Sequence, residues 1–237
     1  MILHIPHSST TLPDTFQVSE ALSLEKEFQR MTDWFTDELF DSPGAKRVVF
    51  PHSRLYCDVE RFRDDEKEEM AKKGMGVCYS RSSFGDRLRE VNEKEKSIIK
   101  STHYDEHHRR FTDLVAAELK ENGSALIIDC HSFSDEVLPH EESNVRPDIC
   151  IGTDNFHTPK ALLSKVYRYF EDQGYTVVVN QPFSGTIVPL KYYEKDQRVS
   201  SIMIEVNRKL YLDDNFEKSA RFDVVKTLIQ SVLSQLH

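Results

Sequence analysis

The chain is poor in the features that mark several protein classes. It has four cysteines in 237 residues, at positions 57, 78, 130 and 150. None forms a C-x-x-C pair, which argues against a zinc knuckle or a dithiol redox motif and makes reduced thiols the expectation. No apolar run approaches the length needed to cross a bilayer. The first residues, Met1-Ile2-Leu3-His4-Ile5-Pro6, lack the charged and long apolar regions of a secretory leader, so a cytoplasmic protein is expected. Positive charge is in deficit. The net charge is -9, which speaks against general affinity for nucleic acid or an anionic membrane. Internal repeats, low-complexity tracts and Gly/Ser linkers are also missing.

The remaining composition, 38% hydrophobic and 30% charged, describes a globular chain with a polar surface. Its length suits one large domain, and no boundary is visible within residues 1–237. Short apolar runs read as strands: Met1 to Pro6, Arg47 to Phe50, Ala125 to Asp129, Ile149 to Thr153, Tyr175 to Val179 and Ser200 to Val206. Apolar residues at helical spacing lie between them. A helical stretch from Glu20 to Phe40 is expected to break near Arg30-Met31, with Thr32 or Asp33 as N-cap of its second part. A longer one, Asn92 to Asn122, is expected to consist of two halves meeting near Tyr104-Asp105 and to end at Gly123. Further helices are predicted from Thr158 or Pro159 to Gln173 and from Phe222 to Leu236. The stretches around the charged run Asp64–Glu69 and from His140 to Pro147 read as surface and loop. Cys78 to Phe84 reads as irregular, a short strand or a mobile flap. Strands alternating with helices predict an α/β domain with a mostly parallel mixed sheet between two helical layers, α/β/α.

Polar groups gather where these strands end. Ala125-Leu126-Ile127-Ile128 runs straight into Asp129-Cys130-His131-Ser132, and Asp129 and His131 share one side of an extended chain. His7 follows the first strand, Arg54 to Arg61 follow the second, and Glu205 to Arg208 end the last. Parallel strands bring such ends to one rim. Two histidines and a carboxylate from separate strand ends suit a catalytic zinc with an open fourth position. His7 and His131 are the expected ligands. Asp33 is the first choice for the third, with Asp58 and Asp129 behind it, although Asp33 reads equally well as a helix cap. Glu205 ends an apolar strand, where an unpaired carboxylate is costly, and so is expected to act. His107-His108 resembles a metal pair, but neighbours on a helix diverge by about 100°, so both are expected on the surface. Tyr192-Tyr193 is expected to pack.

Taken in order, Ile5-Pro6-His7-Ser8, Thr32-Asp33-Trp34, Ser53-Arg54-Leu55-Tyr56-Cys57-Asp58-Val59-Glu60-Arg61, Asp129-Cys130-His131-Ser132, Asn180 to Gly185 and Ile204-Glu205-Val206-Asn207-Arg208 resemble the N-formylglutamate amidohydrolase family. The resemblance runs from residue 1 to about residue 215. It implies the architecture of the zinc carboxypeptidases and aspartoacylase, a phosphorylase/hydrolase-like fold, and one zinc ion. It further implies a cytoplasmic hydrolase of amino-acid degradation acting on a small molecule that carries a carboxylate. Glu205 is then the general base. Arg54, Arg61 or Arg208 holds the substrate carboxylate, Gly185 and Thr186 line the pocket, and Asp58 and Asp129 support the ligands. Two positions depart from the family pattern. Ser9 replaces the glycine of His-Ser-Gly, and Glu60 replaces the asparagine of Asp-Leu-Asn-Arg, adding negative charge beside a carboxylate-binding site. The alternatives are a carboxypeptidase-like or other N-acyl-amino-acid hydrolase, and a non-catalytic carboxylate-binding protein on the same fold.

Overall fold

A computed structural model describes residues 1–139, 141 and 143–236. His140 and Glu142, in the expected loop from His140 to Pro147, lie outside the described residues. Six strands form one sheet: β1 Ile2–Ile5, β2 Lys46–Val49, β3 Ala125–Phe133, β4 Ile149–Gly152, β5 Val177–Val179 and β6 Val199–Asn207. Their order is β2-β1-β3-β6-β4-β5. Strands β2, β1, β3 and β6 are parallel, whereas β4 pairs antiparallel with β6 and carries β5 along in the reversed direction. The expected mostly parallel mixed α/β sheet is what the chain adopts.

The two-residue period of the strands sorts their side chains. Leu3, Ile5, Ile128, Cys130, Ile202, Ile204 and Val206 face one way. They pack on α2 (Thr36–Leu39), α5 (Lys160–Asp172) and α6 (Phe222–Gln235). Ile2, Val48, Ala125 and Ile127 face the other way, against Phe111 and Val115 of α4 (Asp105–Asn122). Cys130 is fully buried in the first of these cores.

Helix α1 (Leu24–Met31) ends at Thr32, and α2 is only one turn long. Asp33 does not cap α2. The N-cap is Phe35, in the left-handed region at φ 58°, with no side-chain cap bond. The long helical stretch consists of α3 (Glu93–Ile99), a π-helical turn at Lys100–Tyr104 and α4, which places its two halves as expected. Asn92 and Glu95 form a reciprocal capping box, and Gly123 in the left-handed region closes the far end. Strand β3 runs four residues beyond the expected Asp129, so His131 lies within the sheet. Val77 to Tyr79 are buried, and Glu27 of α1 accepts hydrogen bonds from both the amide and the hydroxyl of Ser83. The segment from Cys78 to Phe84, expected to be irregular, a short strand or a mobile flap, is therefore irregular and pinned. No helix among the described residues is long and apolar enough to cross a membrane.

Candidate active site

The parallel strands deliver His7, Asp58, Glu60, His131 and Glu205 to one rim, where a cavity of about 830 Å³ opens. The alternation that buries Ile127 toward α4 also turns Asp129 and His131 to that face. Glu205 stands beside His131 in the β3–β6 register. Asp33 enters from the α1–α2 connection, held by its amide on the His7 carbonyl at 3.0 Å.

Each histidine has a carboxylate behind its Nε2. His7 Nε2 lies 2.9 Å from Asp58 Oδ1, and His131 Nε2 lies 3.0 Å from Asp129 Oδ1. Both Nδ1 atoms face Asp33: its Oδ2 is 3.0 Å from His131 Nδ1 and 3.7 Å from His7 Nδ1. The three candidate third ligands are placed differently. Asp58 and Asp129 sit behind the rings, each against an Nε2. Asp33 sits between the rings. Glu60 is also close, with Oε1 3.1 Å from His131 Nε2 and Oε2 3.6 Å from His7 Nδ1. Two clusters among the described residues are close enough to hold a cation, His7 with Glu60 and His131, and His4 with Glu60 and Asp129; Asp33 belongs to neither, touching the two histidines through Nδ1 instead.

The electrostatics favour added positive charge. Burial opposes the charged form of His131, yet Glu60, Asp129 and Asp33 around the ring raise its pKa well above the usual range. Burial would raise Asp33, but the hydrogen bond with His131 and the nearby His7 ring hold it below the ordinary carboxylate range. Asp129 is similarly lowered, burial being outweighed by His131 and His4. Asp58 lies well below its usual value because Arg54, Arg61 and His7 outweigh burial. Burial lifts Glu205 to about 8; Asp33 and Glu60 add to the rise while His131 and Arg208 oppose it. Two buried polar atoms, His7 Nδ1 and Glu205 Oε2, have no hydrogen-bond partner. A buried imidazole lone pair beside Asp33, with three carboxylates converging on the second imidazole, fits a divalent cation bound by nitrogen and oxygen donors.

The three expected arginines have different surroundings. Arg54 donates from Nε and Nη2 to Asp58 Oδ2 at 3.2 and 2.9 Å. Arg61 donates from Nε to the Met75 carbonyl at 3.2 Å and lies 3.4 Å from the Tyr79 hydroxyl through Nη2. Both line the cavity. Arg208 is fully committed. Its Nε donates to Ser132 Oγ, its Nη1 to the Gln29 and Arg30 carbonyls, and its Nη2 to Asp33 Oδ1 and the Ser132 carbonyl, at 2.8 to 3.2 Å. It has no donor left for a substrate. Gly185 and Thr186 border the cavity, the Thr186 hydroxyl meeting Ser201 Oγ at 2.7 Å. The loop is fixed by the Ile187 amide on Asp129 Oδ2 at 3.1 Å.

Several residues here were not expected from sequence. Tyr79 is buried and donates to Asp58 Oδ2 at 2.8 Å. Its signal was hidden in an irregular stretch. His107 is buried, not on the surface, because the inward side of α4 carries it to His4, Nε2 to Nε2 at 2.9 Å. His4 Nδ1 in turn meets Asp129 Oδ1 at 2.9 Å. His108 reaches the Val59 carbonyl at 2.8 Å and lines the cavity. An alternation count from His131 back through β1 would have flagged His4, since His4 pairs with Asp129 in register. Tyr192 packs as expected, whereas Tyr193 borders the cavity.

A family model described as N-formylglutamate amidohydrolase matches residues 1–212. An N-formylglutamate deformylase of Pseudomonas aeruginosa is 26% identical over 255 residues, which cover 99% of this chain and 92% of that protein. Among solved structures, an N-formylglutamate amidohydrolase from Ralstonia eutropha superposes with a TM-score of 0.81 at 20% identity, covering 99% of this chain and 91% of the other. A gene product of Agrobacterium tumefaciens gives a TM-score of 0.68 at 19% identity, over 100% and 90% of the two chains.

Proposed function

This chain belongs to the N-formylglutamate amidohydrolase family, and from that premise we propose that residues 1–237 form a single amide hydrolase domain. Its substrate is an N-formyl-type amino acid, N-formylglutamate being the reference. The observation that carries this reading is the pair of Nδ1 atoms, on His7 and His131, turned toward Asp33 with the unpartnered Glu205 carboxyl in the same recess. His7, Asp33 and His131 are the proposed ligands of one zinc ion, which when bound supplies Lewis acidity at the scissile carbonyl. Asp58 and Asp129 hold the two rings so that Nδ1 is the ligating atom.

The protein's own groups carry the proton and the substrate. Glu205 takes the proton of the attacking water as oxygen adds to the formyl carbon. It returns that proton to the amide nitrogen as the C–N bond breaks, releasing formate and the free amino acid. Arg54 and Arg61 hold the substrate α-carboxylate from the edge that Asp58 leaves free. Gly185 and Thr186 form the opposite wall. Arg208 positions Asp33. The test is formate release by zinc-loaded protein from N-formyl amino acids. A Glu205→Gln variant should retain zinc and lose about 10²- to 10⁴-fold in kcat; full activity in that variant would remove Glu205 from the reaction.

A further inference from the structure

We propose that Glu60 is a specificity-determining residue and that it selects an N-acyl amino acid with one carboxylate and an uncharged, apolar side chain. The inference rests on the hydrolase reading above and concerns the same cavity.

The first argument is charge. Five carboxylates converge on the site: Asp33, Asp58, Glu60, Asp129 and Glu205. Three guanidiniums, those of Arg54, Arg61 and Arg208, oppose them. Arg208 spends all five donors on the protein. Arg54 and Arg61 remain, and both already flank Asp58, within 2.9 and 3.6 Å of its Oδ2. They can take one substrate carboxylate. A second would meet Glu60, which reaches the middle of the site between His131, His4 and His7 at 3.1, 3.6 and 3.6 Å. At the mouth, Arg30 is paired with Glu136, and Lys73 is an exposed rim residue whose neighbour Glu69 is paired with Lys72. A like charge built into a site works as a device against the wrong ligand.

The second argument is apolar surface. Met31, Met70, Leu138 and Phe183 wall the cavity, whose volume lies in the range that encloses drug-sized ligands. Of the eight large apolar side chains exposed among the described residues, Phe62 (56% exposed), Leu190 (66%) and Tyr193 (36%) border this one opening. Clustered exposure of this kind marks a binding surface. It is continuous with the catalytic recess and needs an apolar occupant, which the side chain of the substrate supplies.

The test is a ranking by kcat/KM of N-formyl-methionine, N-formyl-leucine, N-formyl-glutamine and N-formyl-glutamate on zinc-loaded protein. The expected order has the two apolar substrates at least tenfold above glutamate, a difference of about 1.4 kcal/mol, with glutamine between. In Glu60→Gln the ratio of methionine to glutamate should fall tenfold or more, with zinc content retained. Preference of the wild-type protein for N-formyl-glutamate overturns the proposal, as does an unchanged ratio in Glu60→Gln. Loss of zinc from Glu60→Gln also overturns it, because Glu60 would then be a ligand. Activity on none of the four substrates overturns the hydrolase reading itself, so the two failures are distinct.

Discussion

Because every N–H of Arg208 ends on a protein acceptor, replacing it leaves several buried acceptors unpaired at once. Lysine cannot reproduce the fork: it offers one ammonium where five donors are needed. Arg208→Lys is therefore expected to lower stability by about 3–5 kcal/mol, the cost of breaking a buried pair. Zinc affinity should fall about 10- to 100-fold, as for other partners that orient a ligand. Urea unfolding and chelator competition read the two effects separately. Unaltered zinc affinity would show that Asp33 keeps its place without Arg208. At this scale the sequence was informative in part. His7, His131 and Glu205 stood out because each follows an apolar run, and the structure brings all three to one cavity. Asp33 was ambiguous because a carboxylate after a helix break suits a cap as well as a ligand, and the Phe35 start of α2 removes the cap. Glu60 was visible as a charge beside the arginines, but nothing in its spacing revealed that it reaches His131.

At the scale of elements, α4 and β4 carry the informative cases. Adjacent histidines on α4 do diverge, as the helical period demands, but α4 packs against the sheet on the side that His107 faces. Burial lowers His107 well below its ordinary pKa, and it lowers His108 to about 4 against the partial support of the Val59 carbonyl. Near neutrality both rings are uncharged, folded or unfolded. As pH falls below about 6.5 the unfolded chain takes up these protons first. Stability is then lost between about pH 6.5 and 4, by up to about 1.4 kcal/mol per pH unit for each histidine. Urea unfolding at a series of pH values should show this slope, and His108→Gln should make it shallower. On β4, a Cβ at Gly152 would collide with the Gly185 carbonyl oxygen and with the Met203 side chain. Gly152→Ala must push the 180–190 segment off the sheet. It should cost about 1–3 kcal/mol, as overpacking does, and it should raise KM, since that segment lines the cavity. A variant with wild-type melting and KM would mean the segment yields freely.

For the whole molecule, the strand runs and helix periods made the α/β architecture readable, down to the junction at Tyr104-Asp105. The reversal of β4 and β5 was not readable, because direction depends on which edge a strand joins, and no local residue pattern records that. A cation held by residues from three separate segments, 7, 33 and 131, should tie the fold together. Binding to the folded state alone stabilises by about 2.7 kcal/mol at a hundred times the dissociation constant. Thermal unfolding should accordingly move upward with added zinc and downward with chelator. A melting curve indifferent to both would mean that the site holds no zinc in solution.

The reversed direction of β4 divides the molecule's tasks. With Ile149 opposite Val206, the residues that precede β4 arrive at the rim where the parallel strands end. They bring Glu136, Leu138 and Glu141 to the mouth, and the segment after β5 brings Phe183 and Leu190. The four parallel strands present the groups proposed to bind a cation and move protons, while this other half of the sheet supplies much of the cavity wall. Exchanges of side chains such as Leu138, Phe183 or Leu190 can therefore reshape that wall while the Ile187 amide keeps its hold on Asp129 behind His131. Such a layout lets a lineage change its diet while keeping its chemistry.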